Sequence, residues 1–313
     1  MDNKKTLADI QKEFMNNDAL DASRKEIHES WFNEKTVDFW RHKRMYLTLS
    51  AFAKEFQHAS WLTIGDGRFG LDSIRLKKLF DLTKILPTDI AENMLMESKS
   101  RGFIENFGVE NAEQLSFQDN SFDVIFCKES FHHFPKPFMS LYEMIRVCRE
   151  AVVLVEPAEK IYTNDVSSKK YLLSALKLFW AKLTGKKYLP YLPSKYFVEH
   201  GYEEAGNYIY TLSVRELERL MHGMDIAALA YKKFNDIYIK GCEFEKAVAG
   251  NPMYQQMQAG LKANDDLVKK MPQYYQPNMI TTILFKNKIS NSLRDNLIAD
   301  GFQFVPKLPN PYR

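Results

Sequence analysis

Cysteine is scarce in this chain of 313 residues, which has only Cys127, Cys148 and Cys242. They form no CxxC pair, and any pairing leaves one over. That excludes a disulfide framework or a zinc ribbon and favours a reducing, cytoplasmic setting. An excess of one charge is also missing: 43 Lys and Arg stand against 40 Asp and Glu, so no global field calls for nucleic acid. No apolar run approaches the roughly 20 residues of a membrane span. The opening MDNKKTLADIQKEF is too polar for a signal peptide. There is no internal repeat and no low-complexity linker. With 45% hydrophobic and 27% charged residues, the composition is that of a soluble globular protein.

What is present changes pattern along the chain. Residues 1–58 read as amphipathic helices, an N-terminal cap whose aromatics share helix faces and pack on a neighbour. From Trp61 short apolar strands alternate with helices: WLTIG, LDSIRLKKLFDL, KILPTDI, AENMLMESKSRG, FDVIFC, SLYEMIRVCR, AVVLVEP. This order predicts an α/β fold, a Rossmann-like, mostly parallel sheet flanked by helices. After Pro157 the alternation breaks. Residues 158–213 hold eleven aromatics, and 166–198 carry seven lysines and no Asp or Glu. Alternation resumes with SVRELERLMHG, IAALAYKKFNDIYI and MITTILFKN. We therefore expect seven strands in one domain over 59–287, an insertion at 158–213 covering the substrate, and a coil tail at 288–313.

Gly65-Asp66-Gly67-Arg68-Phe69-Gly70 ends the first strand and opens a helix, the setting in which a glycine loop approaches a nucleotide. Asp89 follows nineteen residues after Gly70, at the end of the second strand. A carboxylate there accepts hydrogen bonds from ribose hydroxyls, although an N-cap for the next helix is the competing role. Further on come Asn111-Ala112-Glu113, Leu115-Ser116-Phe117, Asn120-Ser121-Phe122-Asp123, His133 and Arg146. This set resembles the class I S-adenosylmethionine-dependent methyltransferases, in particular the small-molecule branch known as methyltransferase type 11. The resemblance covers residues 60–157 by motif and 213–287 by topology. It departs from the family at Thr63, where an acid is usual, at Asn111, and at Arg149-Glu150-Ala151.

The resemblance implies S-adenosylmethionine as cofactor, held by Gly65, Asp66, Gly67, Gly70, Asp89, Ile90, Met94, Asn111, Ala112, Glu113 and Lys128. Asp66 is expected to meet the methionine ammonium in place of the missing acid. It implies methyl transfer to O or N of a small-molecule acceptor, a sugar, nucleotide-sugar or glycan intermediate. Catalytic candidates are His133 first, then His132 and Glu129; Glu156 either touches substrate or caps the sheet. The histidine pair lacks a third ligand at suitable spacing, so no metal is expected. The lysine run at 168–187 suits either an anionic acceptor or peripheral contact with an anionic membrane. A non-catalytic binding protein and a nicotinamide-dependent oxidoreductase remain the alternative readings.

Overall fold

The computed structural model describes residues 5–159, 180, 183–184, 202–203, 205–224, 226–272 and 275–312. The lysine run at 168–187 and most of the 158–213 insertion lie outside these residues, and with them the expected membrane contact.

Strand order follows from burial on both faces. Ser60–Ile64 (β1), Lys84–Asp89 (β2), Gly108–Val109 (β3), Phe122–Lys128 (β4) and Cys148–Pro157 (β5) run parallel in the order β3-β2-β1-β4-β5. Such strands need apolar side chains on both sides, which WLTI, VIFC and AVVLV supply. Ala228–Phe234 (β6) and Met279–Phe285 (β7) continue the sheet, with β7 antiparallel between β5 and β6. The strand count corrects the expectation: among the described residues there are eight, not seven. Gln303–Val305 (β8) pairs antiparallel with β6, giving the order β3-β2-β1-β4-β5-β7-β6-β8. Three residues before a proline-rich end gave no alternation long enough to read.

Helices Leu7–Leu20 (α1), Lys25–Ser30 (α2), Val37–Leu47 (α3) and Ser50–Glu55 (α4) precede the sheet. Leu71–Phe80 (α5), Asn93–Ser100 (α6) and Pro137–Val147 (α7) link β1 to β5, and Val214–Gly223 (α8), Pro252–Lys270 (α9) and Asn291–Ala299 (α10) follow. One core face joins Leu62, Ile125 and Val152 to Leu141 and Met144 of α7 and Leu217 and Met221 of α8. The other joins Trp61, Phe126 and Val153 to Tyr46, Phe52, Leu76 and Leu297. The N-terminal helices are thus part of the core: Met45, Tyr46, Leu49 and Phe52 are fully buried. α1 differs, for none of its 14 residues is buried. It is held instead by polar contacts, Gln11 Nε2 to the His133 carbonyl at 2.9 Å and Asn16 to Asn93 at 3.2 Å.

Candidate active site

The glycine loop lies at the C-terminal edge of β1, the edge where open parallel sheets bind ligands. Gly65 has φ +74°, and a Cβ there would stand 2.4 Å from Ser130 Cβ. Ser130 Oγ donates to the Gly65 carbonyl at 2.7 Å, tying the loop to the end of β4. At Gly67 a Cβ would stand 2.7 Å from Oδ2 of Asp89. Asp89 is buried, and its Oδ1 accepts the Ala91 amide at 2.8 Å. It does not cap α6, which starts at Asn93 with Glu92 at the N-cap position. Burial raises the Asp89 carboxyl to about 6, with the Ala91, Gly67 and Ile90 amides pulling the other way.

Two cofactor expectations change in role. Gly70, with φ +68°, does not line the cavity; it packs against Ile104 and Pro87 and starts α5. Asp66 lines the cavity, but its carboxylate turns back to cap α5. Oδ1 accepts the Asp72 amide, while Oδ2 accepts the Ser73 amide and the Thr63 and Ser73 hydroxyls, all at 2.8–2.9 Å. Burial, and then the nearby Asp72 carboxylate, raises Asp66 to about 7. Those donors occupy the oxygens expected to receive an ammonium. Across the cavity, Asn111 Oδ1 accepts the Glu113 amide at 3.0 Å, while Ile90, Met94 and Ala112 supply apolar wall. Arg146 serves the fold: it donates to the Phe117 carbonyl at 2.8 Å and the Leu115 carbonyl at 3.0 Å, closing the loop between β3 and β4.

A buried charge network comes from elements far apart in sequence. Arg41 of α3 donates through Nε to Asp236 at 2.6 Å and through Nη2 to Glu129 at 2.8 Å. Glu129 also lies 3.2 Å from Lys128 Nζ and 3.2 Å from His42 Nδ1. Lys128 reaches Asp72 at 3.3 Å, and Asp72 accepts the Tyr46 hydroxyl. Burial works to raise the Glu129 carboxyl, yet the Lys128 and Arg41 charges together hold it well below the ordinary range. That makes Glu129 a weak base, against its expected catalytic role. Its backbone has φ +49°, uncommon for a non-glycine residue and the kind of conformation found at functional sites.

The two histidines part company. His132 Nδ1 lies 2.6 Å from Oε2 of Glu156, a fully buried carboxylate whose Oε1 accepts the Ser130 and Phe131 amides at 3.0 Å each. His133 is more exposed, its side chain 40% against 13% for His132, and its partner is Glu203. Glu156 therefore neither faces the solvent nor simply ends the strand; it grips His132.

One cavity of about 830 Å³ joins these parts, and every expected cofactor or catalytic residue except Gly70 lines it. Asp18, Trp31, Asp38, His42, Tyr238 and Glu243 line it as well, none of them expected there from the sequence, and so does Arg41, which beside Trp40 reads as a candidate anion contact. The aromatic and basic stretch 31–44 is the sequence signal for Trp31, Asp38, Arg41 and His42; Asp18, Tyr238 and Glu243 have none. Asp38, Cys242 and Glu243 have ligand atoms within 4.8 Å of one another. His42, Arg41 and Tyr238 already pair with those carboxylates, and burial raises the Cys242 thiol to about 12, which disfavours a metal thiolate.

Comparison with known proteins agrees with this architecture. Residues 62–155 match the family described as "Methyltransferase domain". No match is found among curated proteins. Among solved structures, phosphoethanolamine N-methyltransferase 2 of Haemonchus contortus, in complex with S-adenosyl-L-methionine, superposes with a TM-score of 0.53 at 13% identity, over 91% of this chain and 61% of that one. A chain of the complex between the Haloferax volcanii Trm112 methyltransferase activator and a methyltransferase gives 0.48 at 11%, over 88% and 98%. Magnesium protoporphyrin IX methyltransferase of Synechocystis PCC 6803 with bound S-adenosylmethionine gives 0.40 at 15%, over 56% and 88%. The glycine cradle, with room beside Asp89 that a single Cβ would fill, fits such a nucleoside. Residues 62–155 thus carry a methyltransferase domain, and its glycine cradle fits S-adenosylmethionine as the cofactor.

Proposed function

We propose that this enzyme methylates an oxygen or nitrogen of a small-molecule acceptor, and that a histidine at the end of β4 serves the transfer. One observation carries the reading: the glycine loop, Asp89 and His132, the last held by Glu156, share one cavity of about 830 Å³. That volume is in the range of sites that enclose small ligands. S-adenosylmethionine, when bound, supplies a methyl group on a positively charged sulfur. Gly65, Gly67 and Asp89 hold the nucleoside, and Ile90, Met94 and Ala112 pack against it. Alignment of acceptor and methyl then provides much of the rate.

Trp31, Phe134, Tyr202 and Tyr238 on the cavity wall suit the apolar faces of a ring or a sugar. Ten Asp and Glu and five Arg and Lys line the cavity, which favours a neutral acceptor over an anionic one. The Haemonchus enzyme, too, is named for a small-molecule acceptor. No described helix is long and apolar enough to cross a membrane, and the three cysteines are free and buried. The free thiols support a cytoplasmic setting as part of this reading.

Titration calorimetry with S-adenosylhomocysteine and with NAD(H), followed by a panel of hydroxyl and amine acceptors assayed with labelled S-adenosylmethionine, tests the reading. We expect S-adenosylhomocysteine alone to bind and label to pass to a panel member. No binding at millimolar concentration would sink it.

A further inference from the structure

We propose that Glu156 is a positioning residue that presents His132 as the general base, with Nε2 unprotonated toward the acceptor, and that the accepting group is a hydroxyl. The inference rests on the methyl-transfer reading above and makes it specific.

Glu156 lies at the end of β5, paired in register with Ile280 of β7, and is 0% exposed. Four contacts fix its carboxylate: the Ser130 and Phe131 amides and the Cys127 thiol on Oε1, and His132 Nδ1 on Oε2. A carboxylate at Nδ1 requires the ring proton to reside there, and the neutral ring then keeps its lone pair on Nε2. No described residue hydrogen-bonds Nε2, and His132 lines the cavity. A nucleophile-side base oriented by a third group is the recurring arrangement for drawing a proton from a weak nucleophile.

The groups facing His132 are Glu156 on β5, Glu129 at the end of β4, Glu203 from the segment before α8, and the His133 ring, whose centroid is 3.9 Å away. Burial lowers the basicity of His132, but Glu156 and then the other two carboxylates outweigh it, so the net direction is upward. His133 also has a carboxylate at Nδ1, but that carboxylate, Glu203, comes from an irregular segment, and the His133 side chain is 40% exposed against 13% for His132.

A neutral amine attacks without first losing a proton, whereas a hydroxyl needs a base in the transition state. The step balances as follows. The acceptor oxygen bonds to the methyl carbon, the carbon–sulfur bond breaks, and its electron pair returns to sulfur. The hydroxyl proton passes to Nε2, and the resulting imidazolium pairs with the Glu156 carboxylate.

Histidine-15N NMR on the full-length protein, with and without S-adenosylhomocysteine, reads the tautomer directly. We expect neutral His132 to carry its proton on Nδ1. In Glu156→Gln we expect the His132 pKa to fall by about one pH unit or more and the tautomer to switch to Nε2–H. S-adenosylhomocysteine affinity should stay within about twofold, because the nucleoside contacts are untouched. With hydroxyl acceptors, methylation in Glu156→Gln should drop by about 100-fold, and the acidic limb of the pH profile should move to lower pH. A wild-type Nε2–H tautomer, an unchanged His132 pKa in the variant, or turnover confined to amine acceptors overturns the proposal. The wild-type tautomer decides the matter even where the variant fails to fold. Failure of S-adenosylhomocysteine to bind at all is a different result and strikes the methyltransferase reading itself.

Discussion

Gly67 and Asp89 share a space too small for one more carbon: a Cβ on Gly67 would stand 2.7 Å from Oδ2 and 2.8 Å from Cγ of the carboxylate. Gly67→Ala therefore has to displace the Asp89 side chain from the place where it meets a ribose. We expect S-adenosylhomocysteine to bind about tenfold or more weakly, a cost of at least about 1.4 kcal/mol. Thermal stability should change little, because the loop is a ligand-facing edge rather than core. Calorimetry and a melting curve check both; unchanged affinity rules out the assigned nucleoside site.

Cofactor affinity should depend on pH through Asp89. Burial raises this carboxyl to about 6, and only the ionised form can accept both ribose hydroxyls. Affinity for S-adenosylhomocysteine is then full above that value and falls as pH drops through it, by about tenfold per pH unit well below 6. The stability of the ligand-free chain moves the opposite way. A raised folded pKa gives its full stabilisation below the ordinary carboxylate range, and this is lost as pH rises through about 6. Calorimetric titrations between pH 5 and pH 8 check the affinity, with Asp89→Asn as the control that should not respond. Proton linkage to this one group predicts a fall of about tenfold across that window in the unaltered protein, and a flat profile counts against the assignment.

The central cation of the network offers a stability test. Arg41 touches Glu129 at 2.8 Å and Asp236 at 2.6 Å, and all three side chains are largely buried. Arg41→Met leaves Asp236 without its cation and Glu129 with only Lys128 and His42. Breaking such a pair costs about 3–5 kcal/mol, far more than an exposed pair is worth. Urea unfolding measures it, and a loss below about 1 kcal/mol contradicts the buried network.

The same residues mark where the sequence was legible. Gly65, Asp89, Asn111 and His133 fall within one continuous stretch of strand–loop–helix units, so local pattern brought them to one sheet edge before any coordinates. Arg41, with Lys43 and Arg44 near Trp40, reads in the sequence as a candidate anion contact, not as the centre of an ion-pair network. Its partners Glu129 and Asp236 are 88 and 195 positions away, and no local periodicity encodes that packing. Glu156 was seen as a strand end, but its grip on His132 needs β4 and β5 side by side with a turn after β4. β8 was missed because three residues at a sheet edge show no repeat.

Helix α1 should be the first element to open. It roofs the cavity with Gln11 and Met15 but buries no side chain, and few buried contacts mean a low opening free energy. Hydrogen exchange should be faster in residues 7–20 than in β4 or β5 and should slow when S-adenosylhomocysteine fills the cavity. Core-like protection in the ligand-free chain contradicts this.

The late pairing of β8 on β6 has a consequence for handling the protein. Residues 228–234 make one backbone ladder with β7 and a second, over Leu229–Tyr231, with β8. A version shortened after residue 287 keeps β1 to β7 but uncovers those amides and carbonyls as a free template for strand addition. Self-association through the bared strand edge, growing worse with concentration, would then add to the loss of Leu293, Leu297 and Phe302 from the core.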